Sequence, residues 1–208
     1  KILIDQGFVI SNYHGLFGLY EVPWILAQLS TVFVFLVIVN AINFIDGIDG
    51  LAISEVIKII LIIEFFSNDL TALAPLGLLV ISALIPLYYF NFKSNTKVFL
   101  GDGGSMLLGT IIMIYILTLL GENYSLKNEL IINKTLLAVL VTFYPLVDLL
   151  RVFVLRIKNG KSPFEADQRH IHHFLNNKFN SHFKVTFIIL IIEILVTTFC
   201  VFINQIRI

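Results

Sequence analysis

Four polar residues at intervals of three follow the first long apolar run of the sequence, which extends from Val22 to Val39. They are Asn40, Asn43, Asp46 and Asp49. Carboxylate oxygens are ligands that Mg²⁺ accepts, and polar side chains at membrane depth are costly and functional by default. Gly47 and Gly50 favour a break in the helix. We therefore expect the first apolar helix to end near Asn43 and a turn to present the two acids.

The two aspartates also have a structural alternative, because either Asp46 or Asp49 can cap the helix that is predicted to begin at Leu51. Capping accounts for one acid. It does not account for the second acid, or for two asparagines directed back toward the lipid, so the pattern favours a functional site.

A glycine-rich segment, Phe99 to Gly109, leads into a later apolar run. Its first glycines are Gly101, Gly103 and Gly104. They leave the backbone free to approach a ligand, Ser105 is a natural N-cap, and such a helix N-terminus is a ready anion site. Asp102 would repel a bare phosphate but would accept one that arrives with Mg²⁺. On this segment alone, a plain turn with an aspartate cap is an equal alternative.

Three of the five histidines lie within four residues near the C-terminal end. They are His170, His172 and His173, and the arginines that flank them are Arg156 and Arg169. The segment has no cysteine, and adjacent histidines do not have the usual spacing of a zinc site. Donation to phosphate beside arginine suits this cluster better. A solvated basic loop against anionic lipid is the alternative, which the density of histidines argues against.

The elements that must position these groups are membrane helices, because 58% of the chain is hydrophobic and 13% is charged, against about 25% charged in soluble domains. Apolar runs that approach the span length of about 20 residues are Pro23–Ala41, Leu51–Phe66, Leu70–Phe90, Met106–Leu120, Leu130–Leu155 and Phe183–Ile203. The predicted fold class is all-α, a polytopic transmembrane helical bundle of about six spans in a single domain, residues 1–208. Asp148 and Arg151 can form an intramembrane pair within it.

Lysine and arginine counts set the predicted orientation. Most of the basic residues fall on the side that receives the Asp46–Gly50 turn, residues 91–105 and the loop 156–182, so this side is predicted to be cytoplasmic. Two β-prone runs around Asp5–Gly7 predict a short external hairpin within residues 1–22. The net charge of zero excludes a global basic surface for nucleic acid.

Three motifs in this order, each between spans, give the chain a resemblance to a known family. They read "NAINFIDGIDGLA", "VFLGDGGSMLLG" and "HIHH". The chain resembles the polyprenyl-phosphate N-acetylhexosamine-1-phosphate transferases, a glycosyltransferase-4-like group that contains the WecA and TagO enzymes and, more distantly, MraY. The resemblance extends over essentially the whole chain, and the "HIHH" form is nearer WecA and TagO.

The resemblance implies an activity. It is the transfer of an N-acetylhexosamine 1-phosphate, by default GlcNAc 1-phosphate, from a UDP-N-acetylhexosamine to polyprenyl (undecaprenyl) phosphate, with release of UMP. This is the first membrane step of cell-surface glycan synthesis, such as cell wall or lipopolysaccharide. The implied location is the bacterial inner (plasma) membrane, with a cytoplasmic active site, and the implied cofactor is Mg²⁺, with Mn²⁺ as a substitute.

The resemblance also implies residue roles. Asp102 would be the metal ligand with Asn43 as its companion, and Asp46 and Asp49 would organise the nucleotide sugar and the metal. The implied catalytic residues are therefore Asp46, Asp49 and Asp102. The implied substrate-binding residues are His170, His172, His173, Arg169, Arg156, Gly103 and Gly104.

The sequence departs from the family pattern at one point. The family carries an earlier Asp-Asp motif on a preceding cytoplasmic loop, and this sequence contains no Asp-Asp pair. We therefore expect the chain to be the C-terminal portion of a longer transferase and to be inactive alone.

Two other functions compete with transfer. A secondary transporter would use intramembrane carboxylates, but the acids lie at one face of the membrane and the sequence shows no inverted repeat. A non-catalytic, lipid-binding scaffold would explain the charge clusters, but would not depend on Mg²⁺ or on the three aspartates.

Overall fold

The computed structural model describes residues 9–93, 95–127, 132–162 and 170–206. The helices in these ranges are α1 (Trp24–Ile45), α2 (Leu51–Phe66), α3 (Ala74–Asn91), α4 (Gly101–Leu120), α5 (Lys134–Val141), α6 (Phe143–Lys158), α7 (Ile171–Phe179) and α8 (His182–Ile206). Two antiparallel strands, β1 (Asn12–Leu16) and β2 (Leu19–Glu21), precede them. The predicted helical membrane fold with a short N-terminal hairpin is confirmed.

The spanning helices are fewer than the sequence predicts. In the described part of the chain, α1, α3, α4 and α8 are long and apolar enough to cross a membrane, and α5 with α6 adds a fifth span if this bent pair is counted as one. Helix α2 has 16 residues, or about 24 Å at 1.5 Å per residue, against a hydrocarbon thickness of about 30 Å. Ten of its residues are buried, so protein rather than lipid surrounds most of it.

The turn between α1 and α2 forms where the glycines predict it. Helix α1 ends at Ile45, and the Asp46 backbone N–H donates to the Asn43 carbonyl. Gly50 precedes α2 with a φ of +74°, and a Cβ there would lie 2.3 Å from the Phe92 ring. Gly50 is the N-cap of α2 and no side chain caps that helix, so the capping role considered for the two aspartates is wrong.

Helix α4 begins at Gly101, five residues before the predicted start at Met106. Ser105 therefore lies inside the helix and is not its N-cap. Contact with α1 favours the longer helix, because the Asn43 side chain of α1 donates to Ser105 Oγ at 2.8 Å within the added turn. Further along α4, a Cβ at Gly109 would lie 2.8 Å from the Cα atom of Val39, and a small residue at such a crossing lets the two backbones approach.

The predicted span Leu130–Leu155 is two helices, α5 and α6, which meet at an angle of 72°. Pro145 explains the break, because its ring would clash with the carbonyl four residues earlier in a continuous helix. That residue is Val141, the last residue of α5. Helix α6 then continues to Lys158, and α7 lies inside the segment predicted as the loop 156–182.

The hairpin docks at the end of α4 that is opposite to Asp102. Its turn is Phe17–Gly18, while the predicted turn at residues 5–7 lies outside the described residues. His14 Nε2 is 2.9 Å from the Leu120 carbonyl oxygen, and Thr135 Oγ1 donates to the Tyr13 carbonyl at 2.9 Å. Helix α4 has 20 residues and is about 30 Å long. The hairpin and the turn between α1 and α2, Asp46–Gly50, which we call the acidic turn, therefore lie at opposite ends of the bundle.

Candidate functional site

The end of α1 and the start of α4 bring Asn43, Asp102 and Ser105 together. The Asn43 side-chain N–H₂ donates to Ser105 Oγ at 2.8 Å and points to Asp102 Oδ1 at 3.4 Å. The hydroxyl of Ser105, which is buried, donates to the Asp102 carbonyl at 3.1 Å. These two contacts use the amide nitrogen of Asn43. An amide binds a cation through its oxygen, which is the other atom of the group.

Asp46 lies between two other carboxylates. The pKa of Asp46 is raised to about 7, mainly by burial and then by the nearby charges of Asp102 and Asp49, while a backbone hydrogen bond from Gly101 lowers it. Like charges in one place disfavour ionisation of each acid. A cation at this position would relieve the repulsion.

The donor set fits Mg²⁺ but not an ion that needs an all-protein cage. Among the described residues, no group of three or more His, Cys, Asp or Glu side chains is arranged to hold a metal. Mg²⁺ commonly uses one or two carboxylates and takes its other oxygens from water and substrate phosphate. Asp102, which is exposed, and Asp46 supply such carboxylates beside the Asn43 amide.

Asp49 has a different environment from the other two acids. Its Oδ2 accepts from Lys97 Nζ at 2.8 Å and lies 2.8 Å from His182 Nδ1. Its carbonyl accepts from Thr186 Oγ1 at 3.0 Å. These contacts fasten the turn after α1 to the segment before α4 and to the start of α8. The carboxylate of Asp49 thus holds the turn in place, and no local sequence pattern predicts Lys97 or His182 as its partners.

Asp148 organises the histidine segment. It is fully buried on α6, and its Oδ2 lies 2.7 Å from His170 Nδ1 while its Oδ1 accepts from the Ile171 backbone N–H at 2.7 Å. Both carboxylate oxygens of Asp148 therefore hold the start of α7. The sequence had instead favoured Arg151 as the partner of Asp148. Arg151 itself is exposed.

His172 lies at the centre of the cluster and is fully buried. Its ring is nearly parallel to that of His170, with centroids 5.4 Å apart. Burial and then the neighbouring His173 lower the pKa of His172 to about 3, so the imidazole is neutral at pH 7. A Cβ at Gly47 would lie 2.7 Å from His172 Nε2. The absent side chain of Gly47 thus allows the histidine to touch the acidic turn.

Arg156 joins the cluster from the last turn of α6. It is buried, and its guanidinium carbon lies 5.9 Å from the centre of the Phe44 ring, which in turn lies 5.7 Å from the His170 ring. Arg169 lies outside the described residues. Gly103 and Gly104 form part of the first turn of α4, and nothing lies within 4 Å of the position of a Cβ at Gly103.

The structure therefore brings most of the predicted site residues to one end of the bundle. Acids and an amide converge where α1 and α4 meet, and neutral imidazole and guanidinium groups approach the same turn from α6 and α7. Carboxylates that can bind a cation thus face hydrogen-bond donors that can bind anionic oxygens. Such an arrangement is suited to phosphate chemistry. Tyr144, whose hydroxyl lies 3.0 Å from His172 Nδ1, was not predicted from the sequence. Its spacing of four residues from Asp148 on α6 was the available signal.

Comparison with known proteins gives a consistent result. A family model described as Glycosyl transferase family 4 matches residues 2–120, more than half of the chain. An undecaprenyl-phosphate alpha-N-acetylglucosaminyl 1-phosphate transferase from Pasteurella multocida is 34% identical over 100 residues, which cover 46% of this chain and 26% of the relative.

Two further relatives are similar over segments of comparable length. A decaprenyl-phosphate N-acetylglucosaminephosphotransferase from Mycobacterium leprae is 36% identical over 104 residues, which cover 48% of this chain and 26% of the relative. An undecaprenyl-phosphate alpha-N-acetylglucosaminyl 1-phosphate transferase from Escherichia coli is 32% identical over 109 residues, with 50% and 28% covered. The matched segments thus span about a quarter of the length of these relatives.

Proposed function

Because this chain belongs to glycosyl transferase family 4, we propose that it takes part in sugar-1-phosphate transfer to a membrane lipid. The donor is a UDP-N-acetylhexosamine, by default UDP-GlcNAc, the acceptor is polyprenyl phosphate, and UMP is released. The observation that carries this proposal is the meeting of the acidic turn with His172 across Gly47. This contact joins a cation-binding set to an anion-binding set, and the similar transferases are named for N-acetylglucosamine phosphate and a polyprenyl phosphate.

Asp102 and Asn43, with Asp46 beside them, are the residues that would hold Mg²⁺ or Mn²⁺. When bound, the ion would neutralise charge on the diphosphate of the donor sugar. Asn43 is fixed by its hydrogen bond to Ser105, so its amide does not have to be ordered when the metal binds. Asp49 acts by keeping the turn that carries Asp46 in position through Lys97 and His182.

The histidine side of the site would bind and orient the diphosphate. His172 is neutral at pH 7, so one of its ring nitrogens carries a hydrogen that can be donated to a phosphate oxygen. Arg156 supplies a permanent positive charge. Both groups are buried, and hydrogen bonds to charged groups are stronger in such surroundings.

The proposed chemistry is one in-line displacement. An oxygen of the lipid phosphate forms a bond to the phosphorus that carries the sugar, and the bridging bond from that phosphorus to UMP breaks, so UMP leaves with the electron pair. The second pKa of a phosphate monoester is about 6, so the attacking group is mostly dianionic at pH 7 and no protein base is required. Positioning and charge neutralisation are the main demands of phosphoryl transfer.

The proposed location is the bacterial inner membrane with the acidic turn on the cytoplasmic side. Excess lysine and arginine at the end of the bundle that carries this turn supports the orientation. The docked hairpin at the other end of α4 would then face outward.

The proposal is tested by release of UMP from membranes that contain the protein at its natural length. UDP-GlcNAc and undecaprenyl phosphate together should give UMP and a lipid-linked sugar diphosphate, and omission of the lipid or addition of a chelator should abolish both products. Other UDP-N-acetylhexosamines in place of UDP-GlcNAc define the sugar. Solute flux without UMP release would favour a transporter and overturn the proposal.

A substitution at Gly103 separates ligand contact from folding. Alanine there meets no protein atom within 4 Å and favours a helix by up to about 1 kcal/mol, so Gly103→Ala should fold at least as stably as the wild type. If the donor passes close to this turn, its KM should rise about ten-fold, equivalent to 1.4 kcal/mol. Ser82→Ala at an exposed position of α3 is the control, with an unchanged KM. An unchanged KM for Gly103→Ala would exclude Gly103 from the substrate site.

A further inference from the structure

The break between α5 and α6 exposes a backbone donor that a residue of another helix satisfies. The first N–H groups of a helix have no partner within it, and Tyr144 is the second residue of α6. Its N–H donates to Glu193 Oε1 of α8 at 2.8 Å, and both residues are buried. Glu193 therefore fixes the backbone position of Tyr144 at the start of α6.

Glu193 is itself held by a buried ion cluster. Lys58 of α2 donates to Glu193 Oε2 and to Glu55 Oε2, both at 2.6 Å. All three side chains are buried, and ionisable groups at such depth persist where they pair with one another. Neither Glu193 nor Lys58 belongs to the motifs that the sequence analysis identifies. The structure instead places both inside the bundle, where they join α2, α6 and α8.

The side chain of Tyr144 continues this chain of contacts into the candidate site. Its hydroxyl lies 3.0 Å from His172 Nδ1. A phenol is a better hydrogen-bond donor than acceptor, and the ring nitrogen of a neutral imidazole that carries no hydrogen is a good acceptor. Tyr144 is therefore assigned as the donor to Nδ1, which places the hydrogen of the neutral ring on Nε2.

The other ring nitrogen of His172 is directed at the acidic turn. His172 Nε2 is buried and has no hydrogen-bond partner among the residues that the structure describes, and it lies against Gly47. A buried donor without a partner costs free energy, and an anionic oxygen of a ligand at the turn would satisfy it.

We infer that Tyr144, anchored by the Glu193–Lys58 pair, is a positioning residue that sets the tautomer of His172 so that Nε2–H faces the substrate diphosphate. This inference deepens the proposed function and rests on it for the identity of the ligand. The tautomer itself is a property of the folded chain, so it can be measured whether or not transfer occurs.

The direct test is nitrogen NMR of protein labelled with ¹⁵N-histidine, in which a His172→Gln spectrum identifies the His172 signals. The wild type should show hydrogen on Nε2. Tyr144→Phe keeps the ring but removes the hydroxyl, and the ratio of the two tautomers should shift at least ten-fold toward Nδ1–H. Tyr124→Phe is the matched control, because it removes a buried hydroxyl that donates to the Ile63 carbonyl at the other end of α2. An unchanged His172 signal in Tyr144→Phe would overturn the inference.

Kinetics test the functional half of the inference. In protein of natural length, Tyr144→Phe should raise the KM for the UDP-sugar about ten-fold, while Tyr124→Phe leaves it unchanged. Glu193→Gln retains an acceptor for the Tyr144 N–H and should keep the wild-type tautomer, whereas Glu193→Leu should disturb it. A shifted tautomer with an unchanged KM would refute the functional role. Absence of transfer by the wild type, with the tautomer as expected, would refute the proposed function but not the positioning by Tyr144.

Discussion

Asp102→Asn should lower the rate of UMP release by about a hundred- to a thousand-fold, the usual cost of removing one group that stabilises developing charge. Asp102 is exposed at the start of α4 and faces Asn43. The amide that replaces it keeps the size of the side chain but loses the negative charge that attracts a divalent cation. The measurement is the rate of UMP release at several concentrations of Mg²⁺, and the requirement for the ion should rise together with the fall in rate.

The control for this experiment is Asp69→Asn, the same change at an exposed residue between α2 and α3. It should leave both the rate and the dependence on Mg²⁺ unchanged. Near-normal turnover by Asp102→Asn at limiting Mg²⁺ would show that the metal assignment is wrong. Asp46→Asn then becomes the next variant to test, because Asp46 is the other acid beside Asn43.

The features that the sequence predicted well depend on local chemistry. Two glycines spaced three residues apart favour a turn over a continuing helix, and the structure ends α1 at Ile45, two residues beyond the predicted end at Asn43. The apolar runs predicted the membrane helices for a similar reason, because each run needs only its own composition to be recognised. Pro145 was also a local signal for the break between α5 and α6, but a single span was predicted there from the sequence.

The features that the sequence did not predict depend on contacts between distant segments. Asp49 binds Lys97 and His182, which are 48 and 133 positions away, and no spacing rule relates such residues. The same holds at the start of α4, where glycine propensity predicts a turn but a hydrogen bond from Asn43 to Ser105 joins α4 to α1. Tertiary contact therefore decided the bounds of α4 and the partners of Asp49.

The buried ion cluster of α2 and α8 gives the largest expected effect on stability. Lys58 is the cation between Glu55 and Glu193, with both distances at 2.6 Å. Lys58→Met removes the cation and leaves two buried carboxylates side by side, and breaking a buried pair in this way costs about 3–5 kcal/mol. The free energy of unfolding should fall by that amount, which is measured by thermal or denaturant unfolding in detergent micelles. Lys184→Met, at an exposed position of α8, should change it by no more than about 0.5 kcal/mol.

The neutral triple variant Lys58→Met, Glu55→Gln, Glu193→Gln decides what the cluster contributes. Replacing a whole buried ion cluster by groups without charge is often neutral for stability, so the triple variant should recover most of what Lys58→Met loses. It also keeps an acceptor at residue 193 for the Tyr144 N–H. Recovery would show that the cost in Lys58→Met comes from uncompensated charge rather than from lost packing of the lysine chain. If the triple variant is no more stable than Lys58→Met, the loss comes from the packing of the lysine chain and not from uncompensated charge.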